Sequence, residues 1–278
     1  MLQNWPKEHI EFTGHCPICS SKDRVMLYDN LSDSIFFIAP GKWCLWSCLD
    51  CESGYLDPRP DIESIPLAYE EYYTHANPNI QLAYAELTLL KKIRRKIVNG
   101  YINYRYGSNL KPSSFLGIVV CKIFPFLKRS IDSRFRNLPA RKSSLPLLLD
   151  LGCGSGTFLK DASSCGWVPT GIDIDEKAIQ CCKENDLQAE AGTIDYFEGQ
   201  FNKFQFITMD HVIEHLHNPL ATLSRCFDLL QESGELWIQT PNIKSFGHQR
   251  YGKSWRGLEV PRHLTIFNHD SLKGALIK

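Results

Sequence analysis

An apolar run, Leu147–Leu149, breaks at Asp150-Leu151-Gly152-Cys153-Gly154-Ser155-Gly156 and gives way at once to a helical stretch, Thr157–Ser164. Few local patterns restrict a fold so strongly. The glycines let the backbone turn sharply and approach a ligand, and the helix that follows directs its N-terminal amides at negative groups in the turn. A second apolar run, Trp167–Ile172, leads into Gly171-Ile172-Asp173, about 20 residues on, the separation at which an acid can accept ribose hydroxyls. Leu187–Ala191, Phe204–Met209 and Glu235–Gln239 then continue as strand-like runs between helical stretches. Five strands in this rhythm imply an α/β fold with a parallel sheet.

The chain of 278 residues has room for one large core and a smaller module. Three segments are expected. Residues 1–60 read as a small β module with strand-like runs at Ser34–Ala39 and Lys42–Trp46, and residues 61–144 as a helical lid or linker. Within the latter, Ala83–Tyr106 sets Leu87, Leu90, Ile93, Ile97 and Tyr101 on one helical stripe. Pro139 and Pro146 mark the boundary before the α/β segment, residues 145–278. The opening MLQNWPKEHIEF lacks an apolar stretch behind a basic one, and the longest apolar run, Phe115–Leu127, is broken by Lys122. Export and membrane spanning are both disfavoured.

Eleven cysteines without an export signal point to a reducing compartment, so a cytoplasmic protein with metal-binding thiols is expected. Cys16-Pro-Ile-Cys19 and Cys48-Leu-Asp-Cys51 offer four thiolates from two tight turns, which suits tetrahedral zinc. The 28 residues between the pairs exceed the commoner spacing, and Cys44 and His15 stand as substitute ligands. Zinc would replace the core that so short a segment cannot build.

Net charge is zero, yet residues 87–142 hold 14 Lys and Arg against one acid, Asp132. Such asymmetry bears on partners. Residues 113–136 combine apolar and basic side chains, so peripheral contact with the inner face of an anionic membrane is one expectation; a solvated face is the plainer one.

Two nucleotide readings compete at the glycine turn. A dinucleotide fingerprint wants Gly or Ala where Thr157 stands, which disfavours NAD. His211-Val212-Ile213-Glu214-His215 spells the HxxEH of some zinc peptidases, but it directly follows an apolar strand, at the edge where open α/β sheets place ligands.

The ordered segments LDLGCGSGTFL, GIDIDEKAI, DHVIEHLHNPL and GELWIQTPN resemble the motifs of class I S-adenosylmethionine (SAM)-dependent methyltransferases over about half the chain, which implies a Rossmann-like, mostly parallel sheet for the α/β segment. CPIC, CLDC and the following GYLDPRP resemble the zinc-ribbon front end of sugar C-methyltransferases and of polysaccharide-cluster enzymes. The resemblance implies that Gly152, Gly154 and Gly156 line the methionine end of SAM, that Asp150 orders the loop, that Asp173 holds the ribose and that Ile174 packs on adenine. Asp210 would touch SAM or the acceptor. Glu214 and His215 carry over as the base and its partner, although His215 also fits a residue that merely caps a helix. The loop Trp255–Leu264 resembles one that covers the acceptor pocket, with Arg262 and His263 as contacts and His263 joining the catalytic set; Tyr72 and Tyr73 offer phenols.

The implied activity is methyl transfer to carbon or oxygen of a small-molecule or lipid-linked sugar acceptor. A quinone-type O-methyltransferase would share every cofactor motif. A zinc-ribbon adaptor that binds nucleic acid through Tyr101, Tyr104, Tyr106 and Phe115 is the reading from another class, disfavoured because it leaves the glycine turn and Asp173 without a use. The family sheet has seven strands, whereas this chain ends at Lys278 in what reads as the helix before strand six. It therefore looks truncated relative to that family, with an exposed sheet edge.

Overall fold

A computed structural model describes residues 4–69 and 88–277 of the chain. The first half contains strands β1 (Ile10–Glu11), β2 (Arg24–Leu31), β3 (Trp43–Cys48), β4 (Gly54–Leu56) and β5 (Arg59–Pro60), then helices α1 (Leu89–Tyr106), α2 (Leu116–Ile123) and α3 (Pro125–Arg134). The second half runs β6 (Leu147–Leu151), α4 (Thr157–Ser164), β7 (Val168–Asp173), α5 (Glu176–Glu184), β8 (Ala189–Ala191), β9 (Phe204–Asp210) and α6 (Pro219–Leu229). It continues with β10 (Leu230–Gln239), α7 (Phe246–Tyr251), β11 (Thr265–Ile266) and α8 (His269–Ile277). The chain divides into two compact units: Met1–Tyr73 with Asp210–Arg225 and Ile238–Lys278, and Thr74–Met209 with Cys226–Trp237. This division cuts across the three segments expected from the sequence.

The second unit is built on the expected α/β sheet, ordered β10-β9-β6-β7-β8, with β6 parallel to β7 and β9 and β7 parallel to β8. Leu148, Leu149 and Leu151 of central β6 are all buried, as a strand covered on both faces requires. One core joins Leu148, Phe158, Trp167 and Phe206 to Tyr101, Ile131 and Phe135 of the basic segment, so α1–α3 share the sheet's own core. Asp132, the segment's single acid, is buried and accepts from Tyr101 Oη at 2.9 Å, Tyr106 Oη at 2.7 Å and Lys128 Nζ at 2.6 Å. The expected stripe is only half realised: Tyr101 is buried, but Leu90 and Ile93 are exposed, and Leu87 lies outside the described residues.

The first unit holds an antiparallel sheet ordered β11-β4-β3-β2, whose edge strand β11 lies far along the chain from the other three. Trp5, Trp43, Leu45, Leu56, Leu264 and Ile266 form its core, with Trp5 and Trp43 edge to face at 5.4 Å. The run Ser34–Ala39 is not a strand. Asp33 precedes it, and its carboxylate accepts the amides of Ile35, Phe36, Ile38 and Ala39 at 3.1–3.3 Å, coiling the apolar residues into a loop. Among the described residues, no helix is long and apolar enough to cross a membrane.

Candidate active site

In the second unit, β6 ends in the glycine turn, and Gly152, Gly154 and Gly156 all take positive φ, at 71°, 51° and 82°. The last two do different jobs. A Cβ at Gly154 would meet nothing within 4 Å, so this position faces open space, whereas one at Gly156 would lie 2.5 Å from Leu187 Cδ1 and 2.9 Å from Cys182 Sγ. Gly156 is thus a packing requirement and Gly154 an opening. The turn is pinned from behind: the Gly152 and Cys153 amides donate to Ile172 O at 2.8 and 3.1 Å, and the Gly154 amide donates to Asp173 Oδ2 at 2.8 Å.

Asp173, the last residue of β7, also accepts the Asp175 amide on Oδ1 at 2.9 Å. Burial raises its pKa, and those two amide bonds offset part of the rise. Two amides leave lone pairs on both oxygens for further donors. Beside it, Ile174 is 68% exposed, an apolar surface next to a half-buried acid. Asp150 lies deeper, wholly buried, paired with Arg136 and accepting from Thr208 Oγ1 at 2.9 Å. Asp195, exposed just past β8 and bonded by Thr193 Oγ1 at 2.9 Å, is an acid that the sequence reading passed over.

The first unit holds Asp210, half-buried at the end of β9, and after it a cluster of acid and imidazoles. Glu214 is fully buried; Oε1 lies 3.1 Å from His211 Nδ1 and Oε2 accepts from Thr240 Oγ1 at 2.9 Å. Burial works to raise the Glu214 pKa, but the His211 hydrogen bond and the nearby imidazoles outweigh it, so the carboxyl stays ionised. The same hydrogen bond raises His211. His215 Nδ1 lies 3.0 Å from Arg262 O and 3.0 Å from the Tyr69 hydroxyl. A carbonyl only accepts, so neutral His215 carries its proton on Nδ1 and its lone pair on Nε2. The same logic fixes His263, whose Nδ1 donates to Gly257 O at 2.8 Å, and burial lowers its pKa to about 3. The two rings meet edge on at 4.7 Å. Glu214, His215 and His263 each bring one donor atom within 4.8 Å of the others, a set that could also hold a metal ion.

Arg262 is not an acceptor contact. Its side chain is 0% exposed and its fork is used internally: Nη1 and Nη2 grip Asp33 at 3.1 and 2.7 Å, Nη1 also reaches Ala68 O at 2.9 Å, and Nε reaches Glu259 at 3.2 Å. Arg262 instead fixes the carbonyl on which His215 hangs. Tyr72 and Tyr73 lie outside the described residues.

The four paired cysteines of the first unit converge. Cys16 and Cys51 Sγ are 3.6 Å apart, Cys19 and Cys48 3.4 Å, and all four lie within 4.8 Å of one another. Zinc–sulfur bonds of about 2.3 Å in a tetrahedron place sulfurs about 3.8 Å apart, so the set fits that metal. The two turns repeat each other. Ser20 and Glu52, each four residues past the first cysteine, have positive φ and donate to that cysteine's carbonyl at 2.9 and 3.1 Å. A hydrogen bond from the Cys51 thiol lowers Cys16 to about 4. Neither Cys44 nor His15 belongs to the cluster.

Residues 124–278 match the family model described as a methyltransferase domain, more than half of the chain, and the chain belongs to that family. Among curated proteins it is similar to a ubiquinone biosynthesis O-methyltransferase of Glaesserella parasuis, 34% identical over 106 residues, covering 34% of this chain and 45% of that protein. A protein of the same name from Aromatoleum aromaticum is 29% identical over 103 residues, covering 34% and 44%. The chain thus spans less than half the length of these relatives. Among solved structures, a SAM-dependent methyltransferase from Archaeoglobus fulgidus aligns at 23% identity and a TM-score of 0.45, covering 58% of this chain and 72% of that one.

Proposed function

We propose that the chain transfers a methyl group from SAM to carbon or oxygen of a small acceptor of the sugar or glycolipid kind. One observation carries the reading: a half-buried acid at the tip of β7 holds the middle amide of a glycine turn whose open position faces free space. Amides of the turn receive the methionine end, the remaining lone pairs of Asp173 receive ribose hydroxyls, Ile174 packs on adenine, and exposed Asp195 is the candidate to accept from its amino group. Asp150, locked to Arg136 and Thr208, serves by fixing the strand end from which the turn springs.

SAM supplies a methyl already activated on a sulfonium, which leaves the protein alignment and removal of the acceptor's proton. His215 suits the second task, because its Nδ1 is committed to a carbonyl and its Nε2 lone pair is available. Ionised Glu214 stabilises the imidazolium that results, while neutral His263 offers an acceptor hydroxyl a second lone pair without adding charge. Zinc in the four-cysteine set would be structural, tying the two turns together.

The names of the curated relatives favour a second acceptor, a phenol of the quinone type, for the same machinery. Transfer of labelled methyl from SAM to panels of glycosides and of catechol-type phenols separates the two. One class is expected to take label, and His215→Ala to lower the rate about 10²–10⁴-fold. SAM binding with no transfer to either class would reject both acceptor readings.

A further inference from the structure

Of the segment that joins apolar and basic residues, 113–136, the proposed reaction uses Arg136 alone, and the packing of α2 within it is inverted. A Cβ at Gly117 would lie 2.0 Å from Ile97 O, and one at Gly100 would lie 1.8 Å from Ser114 O, so α1 and α2 touch backbone to backbone. Gly117 and Cys121, one turn apart, are the buried residues of α2. The helix therefore turns its smallest side chains inward. Leu116, Val119 and Ile123 of the helix stay exposed, as do Phe115 (75%) before it, Phe124 after it and Phe126 (87%) of α3. A helix packed only for its own core would bury these instead.

The charge around this face is one-sided. Arg134, Arg136 and Lys128 are paired with Asp161, Asp150 and Asp132, whereas Lys111, Lys122 and Arg129 are exposed, and Asp132 is buried beneath. Exposed apolar side chains amid cations, in a stretch (88–142) whose one acid is buried, complement an anionic bilayer, whose headgroups take the charges while the rings enter the interface. Nucleic acid fits less well. Of the four rings it would stack on, Tyr101 and Tyr106 are buried with their hydroxyls on Asp132, which leaves only Tyr104 and Phe115 exposed, and the rest of the exposed set is aliphatic or lies on the short α2–α3 corner.

We propose that the α2–α3 face docks peripherally on an anionic membrane surface. The inference is independent of the methyl-transfer reading. The full chain is floated with vesicles of phosphatidylcholine and with vesicles in which about one third of the lipid is phosphatidylglycerol. Retention on the anionic vesicles alone is expected, weakening as salt rises. Phe115→Ser with Phe126→Ser, and separately Lys122→Glu with Arg129→Glu, should each lower partitioning at least about fivefold. All four side chains are exposed, so the far-ultraviolet spectrum and Tm should not move; Leu116→Gln with Ile123→Gln supplies a second apolar pair if they do. Absence of binding, equal binding to neutral vesicles, or binding indifferent to both apolar pairs would overturn the proposal. So would capture of single-stranded nucleic acid in place of vesicles.

Discussion

The two units hold their acids by different means. In the second, Asp173 is held by main-chain amides of residues two and nineteen positions away, on a sheet whose stability comes from apolar strands. In the first, side chains from far along the sequence complete the hold: Thr240 joins the neighbouring His211 on Glu214, and Arg262 joins the local amides of Ile35, Phe36, Ile38 and Ala39 on Asp33. The difference teaches where each site is vulnerable. A site made of backbone survives most remote substitutions; one hung on a network of side chains fails when a distant member is removed.

The largest expected effect is removal of zinc. If the four thiols staple the first unit, a chelator or Cys48→Ser should abolish bound zinc and melt the antiparallel sheet, since structural zinc in small domains contributes about 10 kcal/mol or more; metal analysis with circular dichroism reads both. Next, Arg262→Met leaves Asp33 buried and unpaired, which should cost about 3–5 kcal/mol in denaturant unfolding. Its pH profile sharpens the point. Burial alone would raise Asp33, but Arg262 and the amides of Phe36 and Ala39 hold it at about 2, below its unfolded value. The depressed pKa contributes about 2 kcal/mol that is present above pH ~4 and lost as pH falls toward 2; Arg262→Met should flatten that acid limb. In the second unit, Gly156→Ala should cost about 1–3 kcal/mol by overpacking against Leu187 and Cys182. Smallest is His211→Ala. The folded pKa of His211 is raised, so its share is full below about pH 6.5 and fades as pH rises through the folded value, and with a half-exposed ring it stays under about 1 kcal/mol in thermal melts.

The same contrast decides what the sequence could disclose. The glycine turn, Asp173 and the four cysteines were legible because each lies in a short run whose spacing is its geometry. β2 was not, because Arg24–Leu31 is largely exposed and lacks the alternation that marks a half-buried strand. Ser34–Ala39 looked like a strand because its residues favour one, and the override came from a single carboxylate before it. No local signal ties β11 to β4, Tyr69 to His215 or Arg262 to Asp33, which pair across most of the chain. Arg262 was read as an acceptor contact for that reason, whereas it is buried on Asp33. His263 beside it lies within the cluster, its ring carried there by the same loop.

Calorimetric titration of S-adenosylhomocysteine into the chain and into Asp173→Ala tests the central claim most directly. The account expects saturable one-to-one binding that weakens about 10–100-fold in the variant, the loss of charge-assisted hydrogen bonds to the ribose, with zinc content unchanged. Equal affinity in both proteins, or no heat from the intact chain, would contradict the assignment of the glycine turn and Asp173 as the cofactor pocket.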